Sequence, residues 1–172
     1  MKIKRLALPT AVLAGVALIL AVCPGCGGAA GFEAWIPLLP QKLGGLEASG
    51  PPEGMTMVMD GETWSSLHQI YNDHETRTVE VTVIYGSGAP EIQSFRTLPR
   101  APVEDAVSSI RPVEISGYKG LLHRQKNGNI GTLMLPLGPV MLIVIEAEPV
   151  GADTALTDIA RELPLDRLAA LE

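Results

Sequence analysis

Val140-Met141-Leu142-Ile143-Val144-Ile145 is the stretch that decides the fold. Six consecutive apolar residues, four of them β-branched, predict a strand inside a sheet, covered on both faces. Burial of six such side chains contributes on the order of 10 kcal/mol before conformational entropy is counted. We therefore expect this strand to form the centre of the folded domain.

Hairpins are predicted before this central strand. Asn127-Gly128 separates two extended runs, 118–125 and 130–136, and Asn-Gly is a strong signal for a tight hairpin turn. Asp60-Gly61 separates the runs 55–59 and 62–71 in the same way. These turns predict a sheet built largely of antiparallel neighbours.

The run 76–85 shows the clearest alternation in the chain. Val79, Val81 and Val83 fall on one face, and polar residues fall on the other. The pattern predicts a strand with one buried face and one face that is wet or weakly covered. A shorter strand is predicted over residues 113–116.

Helical segments separate and follow the strands. Pro90 opens a predicted helix with Ile92, Phe95 and Leu98 at helical spacing. Residues 103–110 are interpreted as a second short helix or an irregular link. Asp153 is the predicted N-cap of a helix reaching Glu162, and a last short helix follows Pro164. The predicted fold class is therefore α+β, a mostly antiparallel sheet of hairpins with helices packed on one face and two short helices at the C-terminus.

The first thirty residues have the pattern of an export signal. Lys2, Lys4 and Arg5 form a basic head, no residue from 6 to 22 is charged, and the small-residue exit Cys23-Pro24-Gly25-Cys26 follows. The basic head is expected to stay in the cytoplasm. The Cys-x-x-Cys spacing is compatible with redox chemistry, but its place ahead of any folded domain disfavours that interpretation.

This segment resembles a bacterial lipoprotein signal, in which a Cys after a small residue is acylated and becomes the mature N-terminus. Cys26, preceded by Gly25, is the predicted lipidation site, and Cys23 is the alternative. The resemblance implies an anchor in the cell envelope, facing the periplasm or the cell exterior, with acyl chains that give stable membrane attachment. Secretion after cleavage near Ala30, and an uncleaved helical anchor, remain alternatives.

The predicted organisation is an export signal over residues 1–25, a tether and lead-in segment over 26–52, and one domain over 53–172. Within the lead-in, residues 32–39 predict a short helical turn that docks on the domain, with an exposed partner-binding patch as the alternative. The Leu38-Leu39-Pro40 stretch followed by a sheet with late helices is loosely similar to small uncharacterised bacterial lipoproteins. That similarity implies no activity.

Charge and composition exclude several classes of partner. Three of the thirteen basic residues lie in the leader, so residues 26–172 carry ten basic and nineteen acidic side chains, a formal charge of −9. This charge argues against nucleic acid and against broad adhesion to anionic lipid. With seven aromatic residues in 172, an aromatic platform for carbohydrate or nucleobases is not expected.

No catalytic signature emerges from the chain. His68, His74 and His123 are its three histidines, and no spacing between them is diagnostic of a metal site. Gly86-Ser87-Gly88 follows a strand but lacks the full nucleophile-elbow pattern. Glu146 and Glu148 are interpreted as the solvated end of a strand. The methionines are predicted to fill the core rather than to bind a soft metal; they include Met55, Met57, Met59, Met134 and Met141.

Two hypotheses follow. The first is a lipid-anchored envelope protein with a non-catalytic binding or assembly domain, which offers a sheet face or groove to an envelope protein or to a small apolar ligand and uses no cofactor. The second is an envelope enzyme or metal-handling domain that uses His68, His74 or His123 with nearby carboxylates. Convergence of these histidines in one cleft would favour the second hypothesis, and wide separation would remove its basis.

Overall fold

The computed structural model describes residues 31–59, 61–74 and 76–172. The lipidation sites predicted at Cys26 and Cys23, like the whole export signal, lie outside the described residues. The strands are β1 (Lys42–Leu43), β2 (Leu46–Ala48), β3 (Glu53–Met59), β4 (Glu62–Asn72), β5 (Thr78–Tyr85), β6 (Val103–Glu104), β7 (Ser108–Ile115), β8 (Tyr118–Gln125), β9 (Ile130–Pro136) and β10 (Met141–Glu148). The helices are α1 (Pro90–Thr97), α2 (Asp153–Glu162) and α3 (Leu165–Ala169), and two 3-10 turns, Phe32–Ala34 and Ile36–Leu38, precede β1.

The described strands form one antiparallel sheet in the order β1-β2-β4-β5-β10-β9-β8-β7-β6. β3 also pairs with β4. It occupies the same edge of β4 as β2 but lies at the other end of that strand. The prediction of a mostly antiparallel sheet with short C-terminal helices is therefore confirmed. The hairpins predicted at Asp60-Gly61 and Asn127-Gly128 join β3 to β4 and β8 to β9.

β10 lies at the centre of the sheet, as its apolar run predicts. Ile143 faces Val83 of β5 on one side and Leu135 of β9 on the other, and all three side chains are buried. Because β5 and β10 are far apart in sequence, this pairing joins the two halves of the chain. The N-terminal and C-terminal strands therefore belong to one continuous sheet.

Two apolar clusters lie on opposite faces of the sheet. Ile143 and Ile145 of β10 belong to the large cluster, whereas Leu142 and Val144, which point the other way, belong to the small one. α2 and α3 pack in the large cluster, together with Trp35 of the lead-in segment. We call the face that carries Ile143 the main core face, and the face that carries Leu142 the α1 face.

The expectation that all helices pack on one face is not confirmed. α1 buries Ile92 and Phe95 against Ile84 and Leu142, in the small cluster on the α1 face. It covers only part of that face, because His68, Glu80, Thr82 and other polar side chains there remain half-exposed. The prediction of one buried and one weakly covered face for β5 is confirmed.

Two local predictions are wrong. Residues 103–110 form β6 and the beginning of β7 rather than a helix, because pairing with β8 imposes an extended conformation on a segment with little pattern of its own. The N-cap position of α2 is Ala152, and Asp153 is the first residue of the helix. The docked turns predicted over residues 32–39 are confirmed, with Trp35 fully buried.

Candidate functional site

The β3–β4 hairpin projects beyond the rest of the sheet. β4 pairs with β3 from Glu62 onward but with β5 only from Ser65 onward, so the end of the hairpin has no strand on its β5 side. Gly86, directly after β5, has a φ of 118° and lies close under this hairpin. A Cβ atom at Gly86 would be 2.7 Å from the Thr63 carbonyl oxygen, so glycine is required for this approach.

The outer edge of β3 is unpaired along its whole length among the described strands. Such an edge presents a row of backbone N–H and C=O groups to solvent. From Gly54 to Met59 no side chain on this strand is charged. After Glu53, β3 therefore lacks the charges and prolines that normally prevent an edge strand from pairing with another chain.

Apolar side chains flank this edge on both faces. Met55 and Met57 are 49% and 42% exposed on the α1 face, and Val58, which points to the other face, is 71% exposed. The prediction that the methionines fill the core is wrong for Met55 and Met57, because no layer covers this end of the sheet. It is confirmed for Met141, which is buried, and the side chain of Met59 lies outside the described residues.

Trp64 lies directly beside the exposed methionines. It is the cross-strand partner of Met57, and its side chain packs at the margin of the small cluster. The indole N–H is buried and has no hydrogen-bond acceptor among the described residues. Unpartnered buried donors are uncommon in folded proteins, and the indole N–H of Trp35 in the large cluster is a second one among the described residues.

Two small cavities adjoin the base of the hairpin. Their volumes are about 190 Å³ and 130 Å³, and both are lined by Glu53 and His68. The loop above them is fixed by the buried side chain of Gln69, whose Nε2 donates hydrogen bonds to the Gly50 and Ile70 carbonyl oxygens at 2.9 and 3.0 Å. The loop that precedes β3 is therefore fixed to β4 by hydrogen bonds from Gln69.

The lead-in segment reaches the same end of the molecule. The first 3-10 turn, Phe32–Ala34, packs against β3 and β4, and a side chain at Gly54 would overlap the Phe32 ring. Gly31, where the described chain begins, therefore lies beside β3. We call the outer edge of β3 together with Met55, Met57 and Val58 the β3 edge surface.

The three histidines do not converge. His68 on β4 bonds through Nδ1 to Glu80 Oε1 at 2.9 Å, and His74 lies exposed in the turn after β4. His123 is on β8, four strands away from His68, which corresponds to about 19 Å at the usual strand spacing. No group of three His, Cys, Asp or Glu side chains within the described ranges is arranged to hold a metal ion.

The other chemical candidates also form local contacts. The Ser87 hydroxyl donates to Glu62 Oε2 at 3.2 Å rather than to a histidine. Glu146 and Glu148 are exposed near the end of β10, and the Thr132 hydroxyl donates to Glu146 Oε2 at 3.3 Å. This is the solvated strand end that the sequence predicts, and it supplies no nucleophile or general base with an orienting partner.

The β3 edge surface is not evident from the sequence. The available signal is the uncharged run from Gly54 to Met59, in which Thr56 is the one polar side chain. Only the order of the strands shows that this run is left at an edge.

Comparison of the chain with protein-family models, with curated proteins and with solved structures finds no match. Among the described residues, no helix is long and apolar enough to cross a membrane.

Proposed function

We propose that this chain is a lipid-anchored cell-envelope protein whose domain binds a protein partner without catalysing a reaction. The partner contributes an extended segment that adds to the sheet along the outer edge of β3. The observation that carries the proposal is the unpaired and uncharged edge from Gly54 to Met59. Addition of a strand to an exposed edge is a common mode of peptide recognition, with affinity supplied by main-chain hydrogen bonds.

The opposite edge of the sheet supports this choice by contrast. β6 covers only part of β7, and the rest of that edge carries Arg111, Pro112 and Glu114. Charges and proline are the usual devices that keep an edge from pairing with another chain. β3 has neither after Glu53, so the two edges of one sheet differ in their capacity to accept a strand.

The side chains around the edge define the chemistry of the partner. Met55 and Met57 offer a flexible apolar surface that adapts to different side chains. Glu53 and Glu62 stand at the two ends of the paired region, within a domain of strongly negative charge. We infer an extended partner segment with apolar residues at alternate positions on the α1 face and basic residues at its ends.

Gly31, where the described chain begins, lies close to the β3 edge surface. Because Gly31 is beside β3, a lipid attached at Cys26 would leave a tether of about five residues, which spans at most roughly 18 Å when extended. The proposed partner is therefore a protein at or in the same membrane.

The binding proposal is tested by photo-crosslinking in intact cells, with a photoreactive residue at Val58. We expect a discrete adduct with an envelope protein, and loss of that adduct when Met55 and Met57 are both replaced by lysine, because lysine on an edge strand opposes pairing. The matched control is Glu114→Lys on β7, which introduces the same residue at the other edge. An adduct that survives both methionine substitutions contradicts the proposal.

The anchor is tested separately by the intact mass of membrane-extracted protein. The wild type is expected to begin at Cys26 and to carry acyl chains, and Cys26→Ala is expected to lose them. Cys23→Ala is the control and keeps the modification. An unmodified protein that begins near Gly31 would show secretion instead of anchoring.

A further inference from the structure

A cavity of about 300 Å³ lies between α1 and the turn that joins β9 to β10. Its lining includes Ile92, Phe95 and Arg96 of α1 and Leu142 of β10, so it opens on the α1 face. None of its lining residues belongs to β3 or β4. Its volume stands at the lower limit of the sites that bind small molecules, about 300 to 1,000 Å³.

The wall of this cavity is apolar. Apart from Arg96, every lining residue is apolar, glycine or proline. Pro136 and Pro139 have no backbone N–H group to donate, and the Pro139 carbonyl oxygen already accepts a hydrogen bond from Arg96. Because the wall offers few hydrogen-bond partners, the body of a ligand that fills the cavity must be apolar.

Arg96 is the one charged residue in the lining, and its side chain is exposed. Its Nη2 donates to the Pro139 carbonyl oxygen at 2.9 Å, which holds the guanidinium group at the margin of the cavity. This acceptor is neutral, and Arg96 forms no ion pair with any of the described residues. The positive charge of Arg96 is therefore not compensated, and further N–H donors of the group remain for a ligand.

The charged groups nearest to this site have other partners. Arg100 lies over the Phe95 ring, with Cζ 4.2 Å from the ring centroid, and donates to the Phe95 carbonyl oxygen at 3.2 Å. The Glu172 carboxylate, which lies close to the same turn, accepts a hydrogen bond from the Val140 N–H at 2.8 Å. Neither group forms an ion pair with Arg96, so Arg96 alone gives the cavity its charge.

We propose that this cavity binds a straight-chain alkyl carboxylate, a ligand of the fatty-acid class. The hydrocarbon chain lies between Phe95 and Leu142, and the carboxylate accepts hydrogen bonds from Arg96 at the margin. A guanidinium group matches the geometry of a carboxylate and binds it through charge-assisted hydrogen bonds. One cation beside an apolar wall fits a single anionic group, and the strongly negative charge of the domain disfavours ligands with several. This site is separate from the β3 edge surface and does not depend on its function.

The proposal is tested by methyl NMR of the full chain in nanodiscs of zwitterionic phospholipid, titrated with octanoate, octanol and acetate. We expect octanoate to shift the Ile92 and Leu142 methyl resonances saturably, with a Kd of about 1 mM or tighter. Octanol, which has the same chain without the charge, is expected to bind about tenfold more weakly, and acetate, which lacks the chain, is expected not to bind. Empty nanodiscs titrated in parallel give the free concentration of each probe.

Arg96→Gln separates the contribution of the charge from that of the apolar wall. It is expected to weaken octanoate binding about tenfold and to leave octanol binding unchanged. Arg167→Gln on α3 is the matched control, because it removes an arginine outside the lining and is expected to change neither. If Arg96→Gln does not fold, the comparison of octanoate with octanol on the wild type decides the question. The proposal is overturned if octanoate does not bind saturably, if octanol binds as tightly, or if Arg167→Gln weakens octanoate binding as much as Arg96→Gln.

Discussion

Tyr71 is a single side chain on which the attachment of the lead-in segment depends. It is fully buried, and its hydroxyl donates a hydrogen bond to the Pro40 carbonyl oxygen at 2.9 Å. We expect Tyr71→Phe to lower the free energy of unfolding by about 1 kcal/mol, because the carbonyl loses its partner. Urea denaturation of both proteins measures the difference, and equal midpoints and slopes would contradict it.

The same hydroxyl gives a prediction for alkaline pH. Burial raises the pKa of Tyr71 from 10.0 to about 12. Between these values the unfolded state loses the proton while the folded state keeps it, so stability falls as pH rises from about 10 to about 12. The loss is on the order of 2 kcal/mol and is absent from Tyr71→Phe. If the free energy of unfolding falls equally for the wild type and for Tyr71→Phe over this pH range, the effect does not come from Tyr71.

Gly86 is the residue that permits the hairpin to pass close to the end of β5. Gly86→Ala is expected to destabilise the fold by about 1 to 3 kcal/mol, because alanine disfavours a φ of 118° and its Cβ would meet the Thr63 carbonyl oxygen. Gly88→Ala is the control, since the nearest atom to its Cβ is 3.5 Å away and its φ is not positive. Thermal unfolding compares them, and equal effects would contradict the explanation.

Among the elements, β10 allows substitutions on its two faces to be compared by their effect on the free energy of unfolding. Ile143 is fully buried in the large cluster, whereas Val144 is half-buried on the α1 face. We expect Ile143→Ala to cost about 2 to 5 kcal/mol and Val144→Ala clearly less. Denaturant unfolding of the two variants measures this, and a larger loss for Val144→Ala would show that the faces are assigned incorrectly.

Elements with a strong local pattern were predictable from the sequence. The alternation of Val79, Val81 and Val83, and the hairpin signals at Asp60-Gly61 and Asn127-Gly128, depend on neighbouring residues only. The sequence predicts β7 too short, because Arg111 and Pro112 interrupt its apolar pattern and its conformation comes from pairing with β8. Local pattern carries no information about a partner that lies elsewhere in the chain.

The candidate site was not predictable for a related reason. Met55 and Met57 have the composition of core residues, and a thioether side chain does not indicate whether another layer will cover it. Their exposure depends on β3 being left at an edge, with β4 on one side and no described strand on the other.

For the molecule as a whole, the order of the strands predicts a gradient of local stability. β5 and β10 are covered on both faces over part of their length and paired on both edges, whereas β3 and β6 lie at the margins. We expect amide hydrogen exchange to be slowest in β5 and β10 and fastest in β6 and in the outer end of β3. Exchange followed by mass spectrometry measures this, and faster exchange in β10 than in β6 would contradict the described order.

The pairing of β5 with β10 also has a consequence for the order in which the protein folds. Tyr85 pairs with Met141 and Thr78 with Glu148, so closing this ladder brings together segments separated by roughly 60 residues. Non-local pairings of this kind slow folding, because chain entropy is lost before the contacts are gained. The centre of the sheet cannot form until β10 has left the ribosome, so the chain stays without its core through most of its synthesis. Such a delay is compatible with the export that we propose for this chain, because a polypeptide carried across a membrane in the unfolded state must not complete its core beforehand.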